Sequence, residues 1–522
     1  MKCKTILLLI TGILLYTSAD SMAQNSRILS LNDYTYEYIK RLQHRGLMLE
    51  LDPTTLPYSY GQVKGALRKL DPQKLNKHEQ SWVERIKERV HLNDDNEPNE
   101  MGAELTIATR LSDTQRQDAL RPLNQKLYAY PYPTLTGYIE EGNFVGQFHF
   151  RHDFYYDQDP DGIDAALRLY IRAEESYVGY QSDNVRVMLG RFHNQWGVYD
   201  EASSVVSTNA RSFDQLNLSL GGKYFSFQSI LGELNGLSAD ESFSEFTFRE
   251  GSLNRFIAMH RLNWRPSKHL RLTFFESVVY SGNNSGISLK YSNPLLLYSF
   301  VVENAPKNDE NNLLIGGMIW GQFKNITLNS QLMIDDFEHT RNVGEPTTFT
   351  FLSSLNYAMK RSAVDLRAEF EAVAYQSYNT DLAIGFEQPE GRYLYLNRGI
   401  ATPTNDYVKL KLYPNFYLDQ YVTGLKVSPY LTYFLKGEQV INQPFARRNP
   451  DGSVIDIILT GEVEKTIRGG LHILYQPKAN IWFELDTGYN HFSNYNHVAG
   501  ASNSRWVTLA KAGFRIALYG NN

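Results

Sequence analysis

Cysteine is nearly missing from this chain of 522 residues: Cys3 is its single occurrence. It sits in a short basic head, MKCK, ahead of the apolar run TILLLITGILLY and the small-x-small pattern Ser21-Met22-Ala23. That order reads as a secretory signal peptide over residues 1–23, which takes no part in the fold. The apolar run is too short for a comfortable transmembrane helix. Cys3 does not follow the run, where a lipid-carrying cysteine would stand. The exported chain is therefore expected to hold no disulfide, no thiol nucleophile and no cysteine metal ligand. At this length it has enough surface to bury a core without such staples.

An excess of positive charge is also missing. Lys and Arg number 52 against 57 Asp and Glu, and no basic stripe marks a nucleic-acid partner. Zinc-type spacing is absent as well. His149 and His152 are three apart, which places them on opposite faces of a strand, and His260 and His472 stand alone. Neither a metal nor a cofactor is expected. The hydrolase pattern G-x-S-x-G does not occur. Ser277 and His260 invite comparison with hydrolases that work on the lipid face of a barrel, but no third member with an orienting role can be assigned. An enzyme is not expected.

Aromatics, by contrast, are plentiful, with 35 Tyr and 27 Phe. Tyr is amphipathic and favours water–lipid boundaries. A large secreted β protein or sugar-binding protein would also be rich in Tyr.

Two unequal parts follow the leader. Residues 24–99 read as a small helical subdomain and linker. LNDYTYEYIKRLQHRGL offers Asn32 or Asp33 as a cap and Gly46 as a stop. YSYGQVKGALRKLDP spaces Val63, Leu67 and Leu70 for one face. NKHEQSWVERIKERVHL does the same with Trp82, Ile86 and Val90, and Asn76 with Glu79 forms a capping-box pattern. The polar run NDDNEPNE then reads as a linker.

Over residues 100–522 the period changes to two. In DLRAEFEAVA, Asp365, Arg367, Glu369 and Glu371 share one face, opposite Leu366, Ala368, Phe370 and Ala372. GQFHFRHDFYY and IWFELDTGY alternate in the same way. A soluble β protein would turn the apolar face inward, whereas a transmembrane barrel turns it to lipid and pairs its charges in the lumen. Run length, persistence to the chain end and mixed-sign polar faces favour the barrel. The last stretch, SRWVTLAKAGFRIALYGNN, resembles the closing strand recognised by barrel-insertion machinery, and closure removes the open edges that lipid forbids. Roughly 16 to 20 strands can be marked between turn-rich breaks such as SGNNSG and RRNPDGS. The fold class is thus mainly β, a large antiparallel transmembrane barrel with a small N-terminal helical subdomain.

The stretch GRFHNQWGVYDEASSVVSTNARSFDQL carries residue types that recognise sugars. A Trp ring stacks on a pyranose face, while Arg, Asn and Asp supply directional hydrogen bonds. The candidate binding residues are Arg191, Asn194, Trp196, Asp200, Asn209 and Arg211, joined by Gln195 and Glu201. The same residues also suit a loop folded into the lumen, and Arg191 or Arg211 equally suits lumen salt bridges. Asp335 and Asp336 are adjacent on an extended segment and point apart, which spoils the geometry of a glycosidase pair. They read as a structural or cation-binding rim.

Four pieces make the chain resemble the capsule assembly Wzi family of outer-membrane proteins, in a form similar to those of Bacteroidota. These are the leader followed by YEYIKRLQHRGL; LGRFHNQWGVYDEASSVVSTNARSFDQLNLSL; FFESVVYSG with SNPLLLYSF, where Glu276, Asn293 and Pro294 match; and LMIDDF. The chain departs from the family's best-known members at Phe192-His193 and Val198-Tyr199, which leaves the identity of the sugar open. The resemblance implies a closed barrel of about 18 strands with a periplasmic helical bundle. It also implies non-catalytic binding of capsular polysaccharide, with the segment after Trp196-Gly197 in or near the lumen. The partners expected on that basis are a surface polysaccharide, outer-membrane lipid, the insertion machinery and a periplasmic protein touching the helices. The alternative is an outer-membrane channel for small solutes or sugars, whose strands would look much the same.

Overall fold

The computed structural model describes residues 25–92, 99–163, 171–238, 252–282, 286–293, 295–303, 311–335, 348–359, 362–380, 391–443, 445, 453 and 455–519. Residues 1–24, which include the expected leader, and residues 93–98 of the expected linker lie outside the described residues.

Eighteen antiparallel crossings close into one barrel. They are β1 (Asn99–Thr114), β2 (Gln125–Pro131 continued by Thr134–Glu141), β3 (Phe144–His152), β4 (Ile171–Ala173 continued by Ser176–Gln181), β5 (Val185–Arg191) and β6 (Asp214–Gly221). Next come β7 (Phe225–Ser238), β8 (Ser252–Ser267), β9 (Leu270–Gly282), β10 (Asn311–Phe323), β11 (Ile326–Asp335) and β12 (Thr348–Met359). The last six are β13 (Val364–Val373), β14 (Tyr407–Tyr417), β15 (Leu425–Lys436), β16 (Glu464–Lys478), β17 (Ile481–Ser493) and β18 (Ser502–Tyr519). β18 pairs back onto β1, with Phe514 opposite Ile107, and this removes the last free edge.

The side-chain period decides which way the wall faces. On β11, Ile326, Leu328 and Leu332 are exposed on the outside, while Thr327, Asn329 and Gln331 are buried inside. On β13, Leu366 and Phe370 point out and Asp365, Arg367 and Glu371 are buried in the lumen. This is the lipid-out, polar-in arrangement. Short hairpins join the strands at one end, as at Gly142–Asn143 and Lys324–Asn325, and long segments join them at the other.

The lumen is not empty. At the short-turn end it holds three helices: α1 (Thr35–Gln43), α2 (Tyr60–Arg68) and α3 (Lys77–Val90). Asp33 accepts from the Thr35 N–H and hydroxyl, and Ser59 with Gln62 forms a capping box for α2. Asn76 with Glu79 caps α3 in the same way. All nine residues of α1 are buried. The reason is that barrel wall as well as helix surrounds it. Lys426 on β15 meets Glu37 at 2.7 Å, Arg45 makes a two-pronged pair with Asp365 on β13, and Trp82 Nε1 donates to Asp419 at 3.0 Å.

The middle of the lumen is filled by residues 192–213, and the long-loop half by 374–380 and 391–406. Their apolar side chains, among them Trp196, Val205, Phe213, Tyr378 and Tyr393, form one core with inward residues of β7–β12 such as Ile230, Met259, Phe275 and Met333. The barrel wall on this side therefore carries an apolar band on its inner face, set among polar residues such as Asn329 and Gln331. The opposite wall, β13–β18 with β1–β3, keeps polar and charged residues toward the lumen.

Candidate functional site

The segment 192–213 leaves the end of β5 through a backbone that only glycine adopts without strain. Gly190 has φ +137, and a Cβ there would stand 2.4 Å from the Ser176 carbonyl oxygen. Gly197 has φ +145, and its Cβ would stand 2.9 Å from Gln331 Nε2. These two glycines turn the chain inward, where Gln195–Trp196 pairs with Thr55–Leu56 of the helical region.

The six residues expected to bind sugar are spread over four environments. Arg191 pairs with Asp214 across the β5–β6 ladder, at 3.2 Å from Nε, at the strand end. Its alternation with Val187 and Leu189 puts it on the outer wall instead of the lumen. Asn194 is buried and held between Gln215 and Asn217. Trp196, expected as a sugar platform, is fully buried under the Arg261 guanidinium, 5.2 Å from the ring centre. It is a core side chain with no free face. Asp200 points to the short-turn half, 3.9 Å from Lys40. Its neighbour Glu201 is used up by Arg367, Asn329 and Ser354. Arg211 is stacked on Tyr156 at 3.1 Å and paired with Asp159 at 3.6 Å. Burial lowers its guanidinium pKa, with Tyr156 and Glu174 opposing.

Asn209 alone of the six lines the cavity at the long-loop end. The rim residue Asp335 is buried and accepts the Tyr378 N–H at 2.6 Å, so it ties the inner segment to β11. Asp336 lies outside the described residues. Among the described residues no group of His, Asp and Glu has the geometry of a metal site. Ser277 faces the lumen, 2.8 Å from the Tyr393 hydroxyl, whereas His260 pairs with Glu276 on the outer wall. The barrel wall separates that candidate Ser/His pair.

The long-loop cavity has a volume of about 400 Å³. Its floor is the lumen face of β13–β16, with Glu371, Tyr407, Lys409, Lys411, Tyr430 and Arg468. Its sides are residues 116–121, Asp161, Arg398 and Thr404. Asn490 Nδ2 holds the first of these segments down through the Ala119 carbonyl at 2.7 Å.

Six cations face four carboxylates here. The carboxylates are already engaged: Asp118 by Arg121 at 2.7 Å, Asp161 by Arg116 at 3.1 Å, Glu371 by Lys409 at 2.6 Å and Asp486 by Arg468 at 2.8 Å. Burial alone would push the Asp118 carboxyl up, but Arg121 and the Leu120 N–H hold it below the usual carboxylate range. Arg398 is bound to Asp159 outside the cavity. Lys411 lies 4.8 and 4.9 Å from the rings of Tyr413 and Tyr430, with no carboxylate ion pair among the described residues. Among the described residues the site thus offers cations and tyrosine faces, and its four carboxylates are each held in an ion pair. Sequence reasoning missed Lys409, Lys411, Tyr430 and Arg468. The alternation in YVKLKLYP does place both lysines on one face, but nothing in that stretch names the opposite wall of the cavity.

A second cavity, of about 360 Å³, lies between the helices and the wall of β1–β3 and β15–β18. Its charges are knotted together. Asp33 meets Arg89 at 2.7 Å and Arg515 at 3.1 Å, and Glu104 meets Arg27, Arg89 and Arg515 at 3.4–3.6 Å.

The family described as "Capsule assembly protein Wzi" matches residues 134–379. Over that stretch the chain is similar to this family. Among solved structures, one described as Wzi, an outer membrane protein involved in group 1 capsule assembly in Escherichia coli and a carbohydrate-binding β-barrel, superposes with a TM-score of 0.62. The two are 13% identical, with 94% of this chain and 99% of that one covered. Family and fold together make this an outer-membrane barrel. Pseudomonas aeruginosa OccK10 (OpdN) is 12% identical over 80% of this chain and 99% of its own, with a TM-score of 0.44. The outer membrane protein opdK of the same organism is 9% identical over 80% and 98%, also at 0.44. No curated protein matches the chain.

Proposed function

We propose that the long-loop cavity holds a segment of a surface polysaccharide, without cleaving it, and so keeps the polymer at the cell. The single observation that carries this reading is the cavity itself. It is a polar recess at the mouth of a barrel filled from within, walled by Lys409, Lys411, Arg398, Arg468 and Tyr430. Such a surface suits a hydroxyl-rich polymer bearing carboxylates, because ammonium and guanidinium groups make charge-assisted bonds to them. The engagement of every cavity carboxylate argues against glycosidic cleavage, which needs a separated acid and base. The family and its carbohydrate-binding relative support the same assignment.

We further infer that the short-turn end, with its helices, faces the periplasm, since short turns mark that side in bacterial barrels. The apolar core between residues 192–213 and β7–β12 argues against the channel alternative. Two measurements test the reading together. Calorimetric titration of the purified protein with polysaccharide from its own cells is expected to show saturable binding, with polymer length unchanged afterwards. Planar bilayers are expected to show no large steady conductance. Absent binding together with a steady open pore overturns the proposal in favour of a channel.

A further inference from the structure

Residues 286–293 and 295–303 follow β9 at the long-loop end, but they do not stay above the rim. Even-numbered residues of β8 and β9 face outward: Leu262, Trp264 and Phe274 are exposed there. By the same alternation Phe256, Ala258, His260, Glu276, Val278 and Tyr280 also face outward, yet all six are buried. Two short helices cover them, α4 (Leu289–Ser292) and α5 (Tyr298–Glu303). Their Tyr291 and Tyr298 pack on Phe256, Ala258, Val278 and Tyr280.

The covered patch contains an acid and a base. His260 and Glu276 are cross-strand partners, with Nε2 to Oε2 at 3.1 Å. The Tyr298 N–H donates to Glu276 Oε2 at 2.6 Å, and the Ser299 hydroxyl donates to Oε1 at 2.7 Å. The Tyr298 ring stacks on His260 at 4.2 Å. Glu276 is thus the point at which the covering segment is fastened.

Depth gives this fastening its meaning. Glu276 lies six residues beyond Leu270, where β9 leaves the short turn. At ~3.3 Å per residue and a tilt of ~40°, that is an axial climb of ~15 Å. A climb of that size ends near the middle of a hydrocarbon layer ~30 Å thick. Ionisable groups facing lipid at that depth are costly unless covered. The covering segment then presents apolar side chains of its own, with Ile287, Leu289 and Leu295 at 65%, 86% and 87% exposure. A loop bathed in water has no physical reason to do so.

We infer that residues 286–293 and 295–303 form an intramembrane strap. The strap is pinned to the outer wall by Glu276 and His260, and its leucine face lies among lipid acyl chains in the half of the bilayer nearer the long loops. Continuity decides for lipid over a second protein. The strap's packing partners Leu231 and Leu313 lie on the same outer wall as the exposed belt of Leu262, Phe274, Ile319 and Leu328.

Single cysteines test this cleanly, because the chain's one cysteine is in its leader. Leu289→Cys and Leu295→Cys are labelled with bimane in full-length protein in nanodiscs. Leu328→Cys serves as the lipid-facing control and Val498→Cys as the aqueous one. Quenching by lipids brominated at mid-chain, with protection from iodide, is expected at both strap positions to match Leu328→Cys. Quenching by iodide, as at Val498→Cys, overturns the inference, and protection from both quenchers overturns it in favour of a protein partner. Adding Glu276→Leu is expected to at least halve lipid quenching at Leu295→Cys while heat-modifiable gel migration reports an intact barrel. Unchanged quenching in that variant refutes the fastening.

Discussion

The two sides of the lumen wall are built on different physics. From β7 to β12 an inward apolar band, with Ile230, Met259, Phe275, Leu314 and Met333, runs among polar inward residues and is sealed by residues 192–213, 374–380 and 391–406. From β13 through β18 to β3 they are charged, and cavities remain at both ends of that side. Apolar surface drives a filler segment to pack densely against it. Charged side chains keep polar groups and water, so volume survives where they line the wall. The filler thereby fixes where the barrel is shut, and the charged side fixes where a ligand is held.

The most damaging way to break the apolar side is Phe275→Ala. Phe275 is fully buried in that core, and its loss should cost about 3–5 kcal/mol. Denaturant unfolding in detergent is expected to fall by that amount, and residues 192–213 should become cleavable by protease. Arg45→Ala attacks the helices instead. It leaves Asp365, wholly buried, with its two-pronged partner gone, at a cost of about 3–5 kcal/mol. A rise in bilayer conductance above the parent protein is expected, since this pair fastens the helices to β13.

Acid should loosen the same end. Burial alone would raise the Asp33 and Glu37 carboxyls, but Arg89 and Arg515 pull Asp33 far below the usual range, and Lys40, Lys426 and Arg41 do the same for Glu37. Depressed carboxylates stabilise the folded state fully above their unfolded pKa of about 4, and this contribution is lost as pH falls through the folded value. Burial lowers the His44 pKa, with Asp365 opposing. That histidine adds a loss beginning below its unfolded value of about 6.5, where the unfolded state takes up the proton first. Melting temperature is therefore expected to drop slightly from pH 7 to 5 and steeply below pH 4. A flat profile would contradict the ion-pair account of the helices.

Part of this contrast was legible in the sequence. The helices announced themselves through Asn76–Glu79 and the spacing of Trp82, Ile86 and Val90, and β13 through strict alternation. β8 was harder to read. In its stretch RFIAMHRL both faces are apolar, because the filler covers Ile257 and Met259 inside while residues 286–293 and 295–303 cover Phe256 and Ala258 outside. Trp196 carries the chemistry of a sugar platform and became core, since residue type does not reveal which side of a loop meets solvent. The long-loop cavity was illegible for another reason. Arg116, Arg398, Lys411 and Arg468 are hundreds of residues apart in some pairs and meet only when the barrel closes.

Smaller effects sharpen the comparison. Lys411→Ala removes the cavity cation that lacks a carboxylate ion pair among the described residues. Titration is expected to show on the order of tenfold weaker polysaccharide binding, the worth of one charge-assisted bond of ~1.5 kcal/mol, with stability nearly unchanged. Arg191→Ala, at the outer-wall end of β5, should alter stability by less than ~1 kcal/mol and binding not at all. An equal loss of binding in both variants would move the site away from the cavity.

The central claim is tested most directly in cells lacking the gene, by measuring polysaccharide kept on the surface against polysaccharide shed to the medium. Retention is expected to fall while total synthesis persists, and to return with the parent gene but only in part with Lys411→Ala. Unchanged retention, with loss of uptake of a small solute in its place, would contradict the account.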